Sequence, residues 1–490
     1  MSDIVMIGGG VVGTCTATML ARDGHRVTVL ERDPTPPPAP QQAWEHWDRR
    51  GVNQFRQLHF LLPRFTRVMD VELPDMRAAL LEAGASSWNP IDHLPSDLTG
   101  GWQEGDERFE NVTGRRPVVE SVIATLAGRT AGLAVRRGVA VRSLVAEAGR
   151  DGIPHVTGVV TDGGETLAAD LVVDAGGRRS SLPDLLRAAG AEPPIEELED
   201  CGFVYYGRHF RARDGATPAP LGPLLLPFGS VSVLTLPCDN DTWGVGIVTS
   251  ARDTALRRLT DPVCWEAVVR SFPMVAHWLE GEPITDIQLM AKIEDRHRTF
   301  VRDGEPVATG VVAVGDAWAC TNPSVGRGIS IGALHGQALR DLLRETPPAD
   351  GRELARHFHQ LTEERVEPLY RDTLAFDRHR LAEIEATIEG QPYETDDPAW
   401  NLGRALGSGA MHDPELMRAF LDIICLLDRG IQVLMRPGIA ARALELADPT
   451  PLPGPDRDGL LAIITDAMRP GGGSAAGSPP TEAAAIHAGG

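Results

Sequence analysis

The sequence is poor in lysine and cysteine and has no long apolar run. Lys292 is its one lysine, so arginine supplies almost all of the positive charge. The six cysteines are scattered without a Cys-x-x-Cys pair, which argues against a zinc site or a disulfide framework and favours a reduced, cytoplasmic protein. No stretch of about 18 uninterrupted apolar residues occurs, so we expect no membrane span.

An excess of positive charge is absent as well. The formal net charge is −21, and the acidic residues are spread along the chain rather than gathered in a block. This argues against nucleic acids and anionic membranes as partners. The chain starts without a basic segment and enters a glycine motif by Gly8, which argues against a signal peptide. The length of 490 residues predicts two or three domains.

The first motif lies between two predicted strands. The apolar pattern predicts a buried strand, a helix and a second strand, at residues 3–7, 11–23 and 26–30. The turn before the helix fits G-x-G-x-x-G, with Gly8, Gly10 and Gly13, which lets a pyrophosphate approach the free N–H groups of the helix start. Glu31 ends the second strand, where an acid that binds a ribose belongs. This predicts a dinucleotide site that includes Arg32; the alternative is a plain turn with a surface glutamate.

The second motif, "ADLVVDAGGRRSSLPDLL", spans residues 169–186. An apolar strand ends at Asp174, and small residues, Arg178 and Ser180 follow ahead of a helix. The pattern predicts a loop at a ligand site. A solvated loop in which the aspartate helps to cap the helix that follows Ser180 is the alternative.

The third motif, "GVVAVGDAWACTNPSVGRGIS", spans residues 310–330. Its apolar start predicts a buried parallel strand, and Asp316 follows the end of that strand. Asn322-Pro323 marks a turn, and Gly326 and Gly328 precede an apolar helical pattern. A strand, an acid, a glycine turn and a helix predict a second ligand-binding helix start; the alternative is a structural strand-turn-helix.

In this order, "GGGVVG", "DAGGRRS" and "GDAWACTNPSVGRG" resemble the motifs of FAD-dependent monooxygenases with the para-hydroxybenzoate hydroxylase fold. The resemblance covers residues 1–345, and the motif forms are closer to the olefin epoxidase and geranylgeranyl-reductase-like branch. Phenol hydroxylases usually carry a histidine after Gly-Asp-Ala and a double proline, and neither occurs here. The resemblance implies an α/β fold with a Rossmann-type FAD-binding domain, an inserted antiparallel-sheet substrate domain and a helical carboxyl-terminal region.

The resemblance also assigns residues to the cofactor. The first motif would hold the ADP part of FAD, the second would lie beside the flavin, and the third would bind the ribityl chain and present a helix to the ring. "RRPVVESVIATL" and "GVNQFRQLHFLL" resemble family segments beside the flavin, which adds Arg116, Arg56 and His59. The predicted cofactor-binding residues are Gly8, Gly10, Gly13, Glu31, Arg32, Arg56, Arg116, Asp174, Asp316, Gly326, Gly328 and Ile329. Because the cofactor carries the chemistry, no catalytic side chain and no metal ligand is predicted.

The same reasoning divides the chain. We predict a discontinuous FAD-binding domain, a sheet-rich substrate domain, a helical region and a flexible tail, at residues 1–190 with 300–345, 191–299, 346–469 and 470–490. Within the first domain, a long helix is predicted over residues 117–137. Alternating apolar residues over 201–250 predict the antiparallel sheet.

The leading hypothesis is a monooxygenase of secondary metabolism that inserts one oxygen atom from O2 into a small, fairly hydrophobic substrate. NADPH or NADH would supply electrons, directly or through a separate flavin reductase. The alternatives are a reductase or dehydrogenase of the geranylgeranyl reductase type and a non-catalytic FAD-binding sensor. A halogenase of this fold would need a lysine near the flavin and a W-x-W-x-I-P segment, and the chain offers only Lys292 and no such segment.

Overall fold

The computed structural model describes residues 1–49, 51–52 and 54–469; the predicted tail at 470–490 lies outside them. The strands are β1 Asp3–Ile7, β2 Arg26–Glu31, β3 Ser86–Trp88, β4 Asn111–Thr113, β5 Leu133–Arg137, β6 Val141–Ala148, β7 Pro154–Thr161, β8 Thr166–Ala168, β9 Leu171–Asp174, β10 Ile195–Asp200, β11 Phe203–Arg211, β12 Leu225–Phe228, β13 Val231–Pro237, β14 Thr242–Ser250, β15 Glu282–Pro283, β16 Gln288–Met290, β17 Glu294–Thr299, β18 Val301–Arg302, β19 Glu305–Pro306, β20 Val311–Ala313 and β21 Ala319–Cys320. The α-helices are α1 Val11–Arg22, α2 Ala43–His46, α3 Pro63–Glu72, α4 Asp75–Glu82, α5 Pro90–His93, α6 Ser96–Thr99, α7 Arg116–Arg129, α8 Leu182–Ala188, α9 Pro262–Arg270, α10 Gly328–Glu345, α11 Gly351–Arg365, α12 Glu367–Ile388, α13 Pro398–Gly409, α14 Pro414–Ile424, α15 Gly430–Leu434, α16 Ile439–Glu445 and α17 Arg457–Ala467.

A five-stranded parallel sheet with the strand order β20-β9-β1-β2-β5 forms the centre of the first part of the molecule. Its strands are short apolar runs that are buried on both faces, as parallel strands require. Ile4 and Met6 of β1 pack against α1, α10 and α11, whereas Val5 packs toward β6, β7, α8 and α12. This alternation places the parallel sheet between a helical layer and an antiparallel three-stranded sheet, β6-β7-β8.

A six-stranded antiparallel sheet forms the second part of the molecule. Its order is β12-β13-β14-β11-β15, with β16 also paired to β11. Trp265 of α9 and Leu460 of α17 cover one face, and all nine residues of β14 are buried. The other face, to which Phe203 and Val248 belong, is turned toward a large cavity.

Several contacts join the antiparallel sheet to the rest of the molecule, and two of them involve segments near the cavity. The Leu58 side chain inserts against Gly244 and Gly246 of β14, where a Cβ would lie 2.1 and 2.6 Å from its methyl carbons. The buried Arg115 guanidinium binds the Asp239 carboxylate of the β13–β14 turn, with 2.6 Å between Nη2 and Oδ2. These contacts position the segment before α3 and the start of α7 against the antiparallel sheet.

The predicted fold is present, with one local correction. The helix predicted over 117–137 ends at Arg129, and the residues after Gly132 form β5, the edge strand that pairs with β2. Thr130, the C-cap of α7, is already extended with φ −83° and ψ 122°. Gly132 then turns the chain with φ +78°, and the alternating Leu133 and Val135 suit a strand. Across the described ranges, no helix has the length and apolar character needed to cross a membrane.

Candidate cofactor and substrate site

A cavity of about 1470 Å³ lies at the carboxyl ends of the parallel strands. The segments that follow β1, β9 and β20 reach its wall at residues 10–13, Ala175 and Asp316. The remaining walls come from residues 58–63, the antiparallel sheet and the helices α12, α13, α14 and α15. One drug-sized ligand usually fills roughly 300–1,000 Å³. The cavity therefore has room for a cofactor and a substrate together.

The glycines of the first motif have two different roles. A Cβ on Gly13 would lie 2.2 Å from the Gly8 carbonyl oxygen, and a Cβ on Gly8 would lie 2.4 Å from the Ala175 carbonyl oxygen. These two glycines are needed for close packing of the backbone. Gly10, the N-cap of α1, lines the cavity, and a Cβ there would meet no heavy atom of the described chain within 4 Å. The start of α1 therefore offers bare backbone N–H groups to a phosphate.

A buried charge network lies behind this turn. Arg49, which is 3% exposed, places Nη2 2.6 Å from Glu31 Oε2 and Nη1 2.5 Å from Glu120 Oε2. Arg116 Nε donates to Glu120 Oε1 at 2.6 Å, and Glu31 Oε2 also accepts the Gly9 N–H at 2.9 Å. Burial would raise the pKa of Glu120, but Arg116 and Arg49 hold that pKa below its usual value. Glu31 thus secures the glycine turn, while Arg116 reaches the cavity wall.

Asp174 shapes the second motif from behind. It ends β9, is buried, and accepts hydrogen bonds from the Gly176 N–H at 2.9 Å and from the Ser180 hydroxyl. Burial raises the pKa of Asp174 to about 6, although those hydrogen bonds act to lower it. Asp174 itself does not line the cavity, whereas Ala175 and Gly177 of the following loop do. The structure therefore favours the loop-capping role of Asp174, and the cavity meets the backbone that Asp174 holds.

The third motif brings an acid to the same wall. Asp316 lies in a short 3-10 turn directly after β20 and lines the cavity. Burial raises the pKa of Asp316, while the nearby Arg116 and Arg178 lower it. The carboxylate can accept hydrogen bonds from hydroxyl groups in the cavity, and Arg116 supplies positive charge beside it.

The helix that follows begins on the cavity wall. Gly326, Gly328 and Ile329 all line the cavity, and no side chain of the described residues caps the first turn of α10. A Cβ on Gly328 would meet no heavy atom of the described chain within 4 Å. The start of α10 is therefore open, like the start of α1.

The segment before α3 contributes one of its two predicted residues. His59 lines the cavity, its Nδ1 has no hydrogen-bond partner within the described ranges, and burial beside Arg116 lowers its pKa to about 3. Arg56 does not line the cavity: it donates to the carbonyl oxygens of Trp44 and Trp47, the latter at 2.8 Å. Arg56 holds its own loop, and His59 presents a neutral imidazole to the site.

The rest of the cavity wall is largely apolar. Residues 223–228, "PLLLPF", line it together with Phe203 and Phe376. Polar side chains on this wall are paired with each other, as in the His379–Asp397 contact at 3.0 Å and the Arg404–Glu383 ion pair at 2.7 Å. The wall suits a hydrophobic molecule with few polar groups.

These residues fit FAD. Two helix starts with free N–H groups, those of α1 and α10, open on the same cavity, and each favours a nearby negative charge by about 0.3–1 kcal/mol. Open space lies at Gly10 and Gly328, where a phosphate and a flat ring could approach the backbone. Among the residues that the structure describes, no group of three or more metal-ligating side chains was found.

Sequence reasoning missed Arg49, Ser324 and Asp377. Arg49 joins Glu31 to Glu120, yet it lies in an aperiodic segment without any motif. Ser324 lines the cavity, and Asp377 binds it from a helix that lies 53 positions away in the chain. Five of the predicted residues are not part of the described cavity wall, namely Gly8, Glu31, Arg32, Arg56 and Asp174, and Arg32 is exposed.

Sequence comparison identifies the first motif independently. The family model of FAD-dependent oxidoreductases matches residues 3–48, which include the glycine turn and Glu31. Protein Rv3254 of Mycobacterium tuberculosis is 27% identical over 465 residues, which cover 90% of this chain and 92% of the relative.

Solved structures share the fold. PqsL, a probable FAD-dependent monooxygenase from Pseudomonas aeruginosa, has a TM-score of 0.57 at 17% identity, with 78% of this chain and 99% of PqsL covered. OxyS, the anhydrotetracycline hydroxylase from Streptomyces rimosus, has a TM-score of 0.52 at 20% identity, with 87% and 76% covered. The predicted α/β fold is confirmed, and the prediction of a flavin-dependent oxidoreductase is confirmed by the family model together with the fold.

Proposed function

We propose that the protein is an FAD-dependent monooxygenase that inserts one oxygen atom from O2 into a hydrophobic organic substrate. The observation that carries the proposal is the continuity of the cavity. The open starts of α1 and α10 and the apolar wall formed by the antiparallel sheet and α12 enclose one space. A cofactor held at the helix starts would therefore face a substrate held against the apolar wall.

The backbone and two side chains would hold the cofactor. The N–H groups at residues 10–13 would bind the pyrophosphate, and Asp316 would accept hydrogen bonds from ribityl hydroxyl groups. The N–H groups of Gly328 and Ile329 would donate to the flavin edge that becomes negative on reduction, a contribution of about 0.3–2 kcal/mol. Arg116 would add positive charge to this end of the cavity. FAD, when bound, supplies the redox chemistry and the activation of oxygen.

The protein's own task is then to bind and orient the substrate and to exclude water. Leu58, Phe203 and Phe376 line the space with apolar surface, which keeps water from the reacting atoms. PqsL, which has a similar fold, has been solved in complex with the small molecule 2-aminobenzoylacetate. This supports a small-molecule substrate for the present chain.

The proposal is tested by oxygen labelling. The purified chain is loaded with FAD, mixed with NADPH or NADH under air, and followed by flavin absorbance while candidate arenes and alkenes are supplied in 18O2. We expect the flavin to bleach and recover, and the product to carry one 18O atom. If the flavin bleaches only after a flavin reductase is added, the electrons reach it through that reductase and not directly from NADPH or NADH. A reduced product without label would instead identify the reductase alternative.

A further inference from the structure

A second and smaller cavity lies apart from the cofactor and substrate site. It has a volume of about 420 Å³ and lies between α3, the turn before β4, the end of α14 and the residues that flank α15. Its charged lining consists of four arginines and two aspartates, namely Arg64, Arg67, Arg108, Arg436, Asp422 and Asp428. Salt screens the net negative charge of the rest of the chain beyond roughly 8 Å. The excess of positive charge in this cavity, which we call the arginine pocket, therefore attracts anions at short range.

The two aspartates of the pocket are already engaged by two of its four arginines. Asp422 accepts hydrogen bonds from Arg108 Nε at 2.9 Å and from Arg436 Nη1 at 2.6 Å. Asp428 Oδ2 accepts a hydrogen bond from Arg436 Nη2 at 2.5 Å. Among the described residues, no carboxylate forms an ion pair with Arg64 or Arg67. The excess positive charge therefore belongs to these two arginines of α3.

Arg64 and Arg67 lie one turn apart on the same face of α3, near its amino-terminal end. Arg64 donates Nε to the Leu426 carbonyl oxygen at 2.7 Å and Nη2 to that of Leu427, and both acceptors are neutral. Two like charges at this spacing repel each other, and cations are unfavourable at the positive end of a helix. Burial and the Arg67 charge accordingly lower the pKa of Arg64. A bound anion would relieve both unfavourable interactions.

The charge and the free donors select the class of anion. A phosphate group carries about −1.5 to −2 charges at pH 7, which matches two unpaired cations, whereas a carboxylate carries one charge. Arginine binds phosphate oxygens in pairs, and the exposed Arg67 donates none of its N–H groups to another residue of the described chain. We propose that the arginine pocket is a phosphate-binding site in which Arg64 and Arg67 hold the phosphate oxygens. Inorganic phosphate and the phosphate group of a nucleotide share this chemistry.

The arginine pocket is separate from the site of the proposed oxygenase reaction. Leu426 and Asp428 line the large cavity, whereas Leu427 and Asp428 line the arginine pocket. Residues 426–428 therefore form a wall between the two spaces, and Arg64 holds two carbonyl groups of that wall. A phosphate on Arg64 and Arg67 would lie behind this wall and not against FAD. Phosphate binding here does not depend on the proposed oxygenase activity.

Titration calorimetry measures the binding. The protein is saturated with FAD, so that the start of α1 is occupied, and is kept at constant ionic strength and about pH 7.5, where phosphate is mostly a dianion. The titrants are inorganic phosphate, adenosine 5′-monophosphate and acetate. We expect inorganic phosphate to bind at least about tenfold more tightly than acetate, because acetate neutralises one of the two cations. Tighter binding of the nucleotide than of inorganic phosphate would identify a nucleotide as the source of the group, and weaker binding would identify free phosphate.

Substitutions of Arg67 connect the binding to the pocket. Arg67→Gln removes one of the two unpaired cations and should weaken the binding of inorganic phosphate about tenfold. Arg67→Lys keeps the charge without the planar fork and should recover part of that loss. Arg270→Gln is the matched control, because Arg270 is an exposed arginine of α9 that lies outside both cavities and forms no ion pair within the described ranges. It should bind phosphate like the unmodified protein.

Equal affinities for phosphate and acetate, or unweakened phosphate binding by Arg67→Gln, would overturn the inference. Circular dichroism checks that Arg67→Gln is folded, as we expect for an exposed side chain without a hydrogen bond to the described chain. Phosphate binding that depends on Arg67, without any 18O incorporation, would support the phosphate site and reject the oxygenase. Oxygen incorporation by a protein that does not bind phosphate would reject the phosphate site and leave the oxygenase standing.

Discussion

Alanine at Gly10 and at Gly13 should separate the packing role of the glycine turn from its ligand-binding role. A Cβ on Gly13 would lie 2.2 Å from the Gly8 carbonyl oxygen and 2.9 Å from the Ala175 Cβ. Overpacking of this kind costs about 1–3 kcal/mol, which outweighs the roughly 1 kcal/mol that alanine gains over glycine in a helix. Gly13→Ala should therefore lower the free energy of unfolding even without FAD.

Gly10→Ala should leave the ligand-free protein nearly unchanged. The new methyl group meets no described neighbour within 4 Å, so the expected cost is the small N-cap preference of glycine over alanine, about 0.5–1 kcal/mol. The same methyl group would project into the space in which a pyrophosphate contacts the start of α1. At a FAD concentration of 100 Kd the unmodified protein should gain about 2.7 kcal/mol of stability. Gly10→Ala should lose most of that gain.

Urea unfolding with and without FAD measures both effects. Gly128→Ala is the control, because Gly128 lies within α7, outside the cavity wall, and a Cβ there also meets no described neighbour. It should gain up to about 1 kcal/mol and keep the full response to FAD. If Gly10→Ala kept that full response as well, the start of α1 would not be the phosphate site.

Three further substitutions test other parts of the structure. Arg115→Met should cost about 3–5 kcal/mol in urea unfolding because it removes the cation that neutralises the fully buried Asp239; a cost below 1 kcal/mol would show that the ion pair does not join the two sheets. Burial raises the pKa of Asp174 from 3.8 to about 6, so the native state binds that proton more tightly and loses stability as the pH rises across this window. Asp174→Asn should therefore gain stability relative to the unmodified protein from pH 4 to 6, and a constant difference would contradict the shift. Burial lowers the pKa of His335 from 6.5 to about 3, so the neutral ring contributes stability above pH 6.5 that is lost as the pH falls toward 3. His335→Gln should therefore lose less unfolding free energy between pH 6.5 and 3 than the unmodified protein does. An equal loss would refute the lowered pKa of His335.

The sequence predicted the parts of the site that are local in the chain. A strand, a glycine turn and a helix follow one another within a few residues, so the pattern identified the segments of Gly10, Asp316 and Gly328 as ligand-binding turns. The family resemblance implied that they share one site, and all three line the same cavity. Parallel strands present their carboxyl ends at one edge of the sheet, which brings segments distant in sequence to the same cavity. The prediction failed at residues 133–137, where alternation in a short segment was taken for helical periodicity.

The remainder depends on contacts between distant segments. Ser324 and Asp377 meet because α12 packs behind the third motif, and no spacing rule links them. Arg49 reaches Glu31 and Glu120 from an irregular segment. Glu31 and Asp174 stand at the positions that the motifs predict, but they hold the backbone of the two loops instead of facing the cavity. A sequence motif therefore predicts the loop that contacts a ligand more reliably than it predicts the side chains that do so.

The most direct test of the central claim is a crystal structure of the protein with FAD bound. We expect the pyrophosphate at the start of α1, beside Gly10, and the isoalloxazine ring against Gly328 and Ile329 at the start of α10. We also expect the open face of the ring to be directed toward the apolar wall formed by the antiparallel sheet and α12. FAD bound outside this cavity, or a ring placed away from α10, would contradict the proposed cofactor site.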